Sequence, residues 1–495
     1  VDAAHWFDAR DGDRGLAATR RRDGRTVAPP VPEVRMHLLR RSTALVALAA
    51  TVTVTVTAAM TAAVATSPAN AAPDTWTAPD EVGGHALAVA LDDGSTALIS
   101  VGGDDDATIY DRRRAADGTW GPTRAVTTVS RAERCAPVEA ATAGGNVAVA
   151  VQCATRTGLE DPPTTLAELV WTGDDGWVWK VKRTASLGSV DYSPRGQFAV
   201  FATDIEYAGR PHHITSYHTD LGWRDVRRRE IGSSGDDIVA AINDAGDVVV
   251  LRGAGDEIEP GSWYAGRLRI ETYDRATRAW TRRSTQHYPD GGITPLGIDM
   301  VGGRFAATVT ESRSTGKLRG LEDRVLLLSG RPAAPRTWRA PRWTQQVFTG
   351  RAALTSDGVV VAAWQARSAP GTATASLATW TEAQSRPTVR GLEPTATLTY
   401  AVESGVGMDL SVTASGRGAL AWVARERGAD TSSVRATSFR VGADGRIGER
   451  VAASWSRPVN ATVAVTAGDG GSSATLGRLL SWGYPAPDSA YVLGP

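Results

Sequence analysis

The sequence predicts an all-β fold, a β-propeller of eight four-stranded blades, on three observations. Turn glycines recur at positions 94, 145, 196, 246, 303, 358, 418 and 470, so successive turns stand 50 to 60 residues apart. A sustained period of this length marks a repeat architecture. Each turn separates strand-like runs, such as DIVAAI and DVVVL around Asn243-Asp244-Ala245-Gly246, and short apolar runs broken by Gly, Asn and Asp are the pattern of β-hairpins. Between residues 84 and 460 no stretch carries the apolar spacing of a long amphipathic helix.

The N-terminal elements read as export machinery rather than fold. Residues 1–35 are rich in Arg and Asp and end in Pro29-Pro30-Val31-Pro32; they are expected to be a disordered leader or the product of a mis-set gene start ahead of Met36. Residues 36–72 have the layout of a signal peptide. Arg40 and Arg41 supply the positive end, Ala44 to Ala65 is uncharged, and Ala69-Asn70-Ala71 offers small residues around a cleavage point. An uncleaved membrane anchor is the competing reading. The many Thr and Ala residues count against it, because a spanning helix usually carries more Leu, Ile and Phe. The expected product is secreted or held at the cell surface, with residues 73–495 as a single propeller domain.

Those residues contain 45 basic and 48 acidic side chains, a formal charge of −3. No basic block remains, so a nucleic-acid partner is not expected. A second apolar run long enough to span a bilayer is absent from the sequence. The chain is expected to be a monomer whose partner is an extracellular protein or a glycan.

Each unit has room for four strands. The first two flank the turn glycine. A third follows, and a fourth begins near a tryptophan: Trp120 in ATIYDRRRAADGTWGPTRAV, Trp177 and Trp179 in LAELVWTGDDGWVWKVKR, Trp223, Trp280 and Trp338 in the next three units. Such a unit cannot bury both faces alone, and stacking units around an axis does so while leaving only short edges. The inner strands are small and apolar, as in LAVAL, VAVAV, VVVL and VVVAAW, which suits a crowded centre. Two or three β-sandwiches are the alternative, but they do not require so regular a period.

The ends predict closure. Thr75-Trp76-Thr77-Ala78-Pro79 resembles Thr337-Trp338-Arg339-Ala340-Pro341, an internal fourth strand. The last unit, Ala461 through Trp482, reads as three strands followed by a short tail from Pro485. Residues 75–82 are therefore expected to supply the fourth strand of the last blade. Seven blades with a stray final hairpin is the runner-up.

Cys135 and Cys153 are the two cysteines, and their midpoint falls in the Gly144-Gly145 turn. In a simple hairpin they face each other across the ladder, close to the spacing of a disulfide. Two buried free thiols is the competing reading.

Candidate chemistry is thin. His212, His213 and His218, with Asp220 nearby, form a conceivable metal cluster, since alternate strand residues share a face; their spacing is not an established ligand signature, and exposed polar residues are the plainer reading. Asp104-Asp105-Asp106 and the loop with Asp256, Glu257 and Glu259 are oxygen-rich and suit structural calcium only loosely. No other cofactor is expected. Recurrent tryptophans could stack on sugars, but a residue placed alike in unit after unit reads as inter-blade packing. Nucleophile elbows, zinc-protease helices and P-loops are missing. Carboxylate pairs of the glycosidase kind converge only in space, so no catalytic or cofactor-binding residue is assigned.

The GNVAVAV-type and GVVVAAW-type second strands, with Trp-bearing fourth strands, resemble secreted β-propeller repeat proteins of high-GC Gram-positive, actinobacterial-type bacteria across residues 75–485. Sialidase-type propellers are similar in their turn tryptophan. Ala115-Ala116-Asp117-Gly118-Thr119-Trp120 lacks the leading serine of their repeat box and has shifted spacing. With no catalytic motif in the sequence, the expected function is a non-enzymatic binding or scaffold propeller of unknown ligand. The alternatives are a carbohydrate-active, glycosidase- or sialidase-like hydrolase with its site at the ring axis, and a purely structural envelope protein.

Overall fold

A computed structural model describes Trp76 and most residues from Asp80 to Leu493, apart from several connecting stretches. The expected leader and signal segment lie outside the described residues. The described residues are all β, with eight four-stranded antiparallel sheets, an organisation consistent with a β-propeller. In chain order the first strands of sheets one to eight are Ala86–Ala90, Ala132–Ala143, Ser186–Tyr192, Ile238–Ile242, Ile293–Val301, Val347–Leu354, Met408–Val412 and Ala461–Gly468. The fourth strands of the first seven sheets are Arg124–Val129, Gly176–Arg183, Gly222–Arg227, Ala279–Tyr288, Ala334–Arg339, Thr388–Thr397 and Ile447–Pro458.

Sheet eight is discontinuous in sequence. Asp80–Glu81 pairs with Pro485–Leu493, Asp80 opposite Ala490 and Glu81 opposite Ser489. The N-terminal segment thus supplies the fourth strand, as its likeness to internal fourth strands predicts. One detail differs. Only two strands lie between Ala461 and Leu479, and the expected tail is itself the third strand, with Pro485 opposite Leu479 at its start. Proline is tolerated at a strand's first residue, so Pro485 did not mark the end of the sheet. Just upstream, Trp76 meets Trp455 of sheet seven edge-on, with ring centroids 5.7 Å apart, and its indole N–H donates to the Val451 carbonyl at 3.4 Å.

The hydrophobic core lies between sheets. Ala and Val dominate first and second strands because both faces are covered, so these strands read as near-continuous apolar runs; ALAVA and IVAAI are buried at every position. Leu87, Val89 and Leu91 of sheet one pack on Val147, Val149 and Val151 of sheet two. Phe198, Val200 and Ala202 of sheet three meet Ile238, Ala240 and Ile242 of sheet four. Ala419, Ala421 and Val423 of sheet seven meet Val463 and Val465 of sheet eight.

The turns are also stitched in a closed cycle, through first turns except between sheets five and six, where Arg304 reaches Glu382 in the third turn of sheet six. Gly145 N–H donates to Asp92, the Asn146 amide to Gly196 O, Arg195 N–H to Asp244, and the Asn243 amide to Gly302 O. Arg304 of sheet five pairs with Glu382 of sheet six at 2.9 Å, and Ser356 N–H donates to Ala414 O. Thr413 donates to Asp469, whose own N–H donates to Asp92 at 2.8 Å and returns the cycle to sheet one. These turns touch so closely that a methyl group added at Gly196 would lie 2.2 Å from the Ala143 oxygen.

Cys135 and Cys153 form a disulfide, with Cα atoms 4.0 Å apart. The simple hairpin expected from their midpoint is interrupted by register shifts between Glu133 and Ala136 and between Pro137 and Glu139. The cysteines nonetheless meet beside the first shift.

Candidate functional site

The first strands converge on a cavity of about 180 Å³. Small residues on each strand leave space there, and a single charged residue per strand enters it: Glu139 from sheet two, Asp191 from three, Asp299 from five, Arg351 from six and Asp409 from seven.

Each carboxylate has a structural task at a neighbouring sheet edge. The first strand of every sheet is an edge strand whose outward N–H groups need acceptors. Asp191 accepts from Ile242 N–H at 3.0 Å, Asp299 from Leu354 N–H at 2.6 Å, and Asp409 from Val465 N–H at 3.0 Å. The nearby Val190 N–H favours the ionised form of Glu139. Hydroxyls do the same work elsewhere: Thr466 takes Ala90 N–H at 2.7 Å and Ser189 takes Ala240 N–H at 2.9 Å. An acidic or hydroxyl side chain on one first strand thus satisfies the backbone of the next.

The electrostatics follow from depth and crowding. Burial disfavours the ionised form of Asp299 and pushes its carboxyl up to about 6. Asp191 is raised well above the ordinary carboxylate value, by burial first and then by the Asp299 charge. Burial also raises Glu139, opposed in part by Arg351. Arg351 donates to Asp409 at 3.0 Å. Burial works against its charge, but Glu139 and Asp409 outweigh that effect and hold the guanidinium above its ordinary value. The site can therefore store protons, and when fully ionised its lining carries six negative charges, with Asp92 and Asp469 at the turns joining the four strand carboxylates, against one positive.

The expected site residues lie elsewhere. His218 is buried, its Nε2 3.3 Å from Ser216 Oγ and its ring edge-on to Phe198 at 4.6 Å. Burial and then Arg275 hold its imidazole down to about 4, so it is neutral near pH 7. Asp220 is exposed, 3.9 Å from the Arg275 guanidinium. His212, Asp104, Asp105, Asp106, Glu257 and Glu259 lie outside the described residues, as do the side chains of His213 and Asp256. Among the described residues no group of three or more His, Cys, Asp or Glu is arranged to hold a metal ion.

Among the described residues the tryptophans pack, with Trp179 the exposed exception. Trp177 donates to Asp111 of sheet one at 3.0 Å, Trp223 leans on Phe201 and Tyr217, and Trp338 lies 6.4 Å from Trp364 of sheet six. Trp179 is 46% exposed.

No family model matches this chain, and no curated protein matches it. Among solved structures it is similar to prolyl oligopeptidase B from Galerina marginata, at 8% identity over 80% of this chain with a TM-score of 0.41. The chain spans 55% of the length of that protein. It is also similar to the Aleuria aurantia lectin, at 12% identity over 63% of this chain and 96% of that one with a TM-score of 0.30. A Hadza microbial sialidase matches at 13% identity over 57% and 63% of the two chains, with a TM-score of 0.31. Likenesses this distant bear on neither activity nor ligand.

Proposed function

We propose that this chain is an exported, eight-bladed binding propeller whose axial pocket takes a small cationic group, an ammonium or a guanidinium. The carrying observation is the convergence of Glu139, Asp191, Asp299 and Asp409 on one cavity with only Arg351 opposing them. The disulfide supports export, because such bonds persist in oxidising compartments. Eight blades are supported by the eight sheets and by the return of the hydrogen-bond cycle from Asp469 to Asp92. A binding role fits better than hydrolysis for a physical reason. The carboxylates are committed to capping backbone N–H groups, and the one arginine is committed to Asp409.

Thermal melts with methylammonium, arginine or spermidine test this reading. A ligand at about a hundred times its dissociation constant stabilises the fold by about 2.7 kcal/mol. The shift should be present near pH 8, shrink near pH 5 as the carboxyls protonate, and be lost in Asp191→Asn with Asp299→Asn. Melts that none of these cations moves would end it.

The hydrolytic alternative has one observation in its favour: two carboxyls with raised proton affinity lining one cavity, Asp191 and Asp299, are equipment for general acid and base work. Turnover of a glycoside panel, lost in Asp299→Asn, would replace the binding reading.

A further inference from the structure

The strands farthest from the axial cavity carry a charge bias that the chain as a whole lacks. The seven fourth strands from Arg124–Val129 to Ile447–Pro458 hold thirteen Lys and Arg against three acidic residues. Residues 73–495 nevertheless carry a formal charge of −3. The fold thus sorts charge radially, acidic at the axis and basic at the rim.

Five of the rim cations lie beyond ion-pair distance of any described carboxylate, although Arg283 also feels the Asp274 charge. Arg124, Arg224, Arg283, Arg390 and Arg450 are exposed on the fourth strands of five sheets. Among the described residues none of the five has a carboxylate within ion-pair distance. Arg224 donates to the Trp223 carbonyl and Arg283 to the Thr272 hydroxyl, both neutral oxygens. Arg390 and Arg450 come from neighbouring sheets and feel each other's charge: Arg450 is held below the ordinary arginine value, by desolvation first and by Arg390 second. Arginines on neighbouring sheets that lack a counter-ion repel, and a bound anion offsets that repulsion. Val389, 42% exposed, and Trp179 add apolar surface on the same strands.

We propose that this rim binds a linear acidic polysaccharide, with Arg390 and Arg450 as its principal anchor. Guanidinium groups match carboxylates through paired hydrogen bonds, and exposed arginines on the fourth strands of five sheets offer repeated positive charge to a chain that repeats negative charge. The disulfide favours a polymer met outside the reducing cytosol over a nucleic acid. The rim and the axial pocket are separate surfaces, so this proposal stands independently of the cation-binding reading.

The test measures binding of the full chain to polygalacturonate, neutral dextran and a DNA duplex at low salt. Polygalacturonate should bind, dextran should not, and the affinity should fall about tenfold as salt rises to about 0.15 M, where the Debye length is near 8 Å. Arg390→Glu with Arg450→Glu should weaken binding about tenfold or more, or at least 1.4 kcal/mol. Arg195→Glu with Arg446→Glu changes net charge equally but alters first-turn and third-turn arginines already paired with Asp244 and Asp444; it should lose less than half as much in free energy. All four positions are exposed, and a thermal melt confirms that each variant is folded. The proposal is overturned if polygalacturonate fails to bind, if dextran binds equally, if both double variants lose the same affinity, or if DNA binds more tightly than the polysaccharide.

Discussion

Replacing Asp299 by Asn will change how the stability of this fold depends on pH. The Asp299 carboxyl rises from 3.8 to about 6 on folding because burial disfavours its charge. Between those values the folded state holds more of the proton than the unfolded state does. Stability therefore falls as pH rises through that window and stays low above it. The difference amounts to about 3 kcal/mol at neutral pH, of which roughly 2 kcal/mol is recovered on acidification to pH 4.

His218 acts in the opposite direction. Its imidazole is held down to about 4 from 6.5, so its contribution is full above pH 6.5 and is lost as pH falls toward 4. That effect is again about 3 kcal/mol. The two nearly cancel in the native protein, and a plain acid titration of stability will not reveal either. The difference between Asp299→Asn and the native chain isolates the carboxyl. Asp191 enlarges it, because its proton affinity relaxes once the Asp299 charge is gone. Urea denaturation followed by tryptophan fluorescence at pH 7.5 and pH 4 reads the effect. The Asn variant should gain on the native protein by roughly 2 kcal/mol more at the higher pH. A difference that does not change with pH would mean that Asp299 carries its charge without penalty, and the picture of a crowded, desolvated axis would be wrong.

Other consequences follow from the stitching of the sheets. Gly196 sits at φ +70° with its Cα against the neighbouring turn, so Gly196→Ala should cost about 1–3 kcal/mol, visible as a lower urea midpoint; an unchanged midpoint would mean that the turns are not in contact. The disulfide closes a loop with a sequence separation of 18 residues, so Cys135→Ser with Cys153→Ser should cost about 3 kcal/mol. Thiol titration of denatured, unreduced native protein should find no free thiol, and two would refute the bond.

The architecture was legible because it is written locally and repeatedly. Turn glycines, small apolar runs and the tryptophan at each fourth strand recur in every unit or nearly so, and the Thr75-Trp76 segment announces its partner by resembling Thr337-Trp338. The disulfide was legible from one midpoint. The axial site was not. Its charged residues come from five strands, one from each, and become a group only when the strands converge. Asp191, Asp299 and Arg351 also stand five, four and seven residues before the turn glycines 196, 303 and 358, so they do not fall at one repeat position. The available signal was a lone charged residue in an otherwise small, apolar first strand, as in SLGSVDY, ITPLGIDMV and MDLSV. The burial of His218 was not legible for the opposite reason: it was read as an exposed polar residue beside polar neighbours, but its strand buries it against Phe198.

The central claim is that the two distant ends of the chain complete one sheet and close the cycle. Asp80 lies opposite Ala490, and directly opposed residues of an antiparallel pair have Cα atoms about 4.5–5.5 Å apart, within disulfide reach. The decisive measurement is oxidative cross-linking of Asp80→Cys with Ala490→Cys, followed by peptide mapping. An intramolecular link between the two peptides is predicted, at high yield and independent of protein concentration. Cysteines that stay reduced, or that link only between molecules, would contradict the closure.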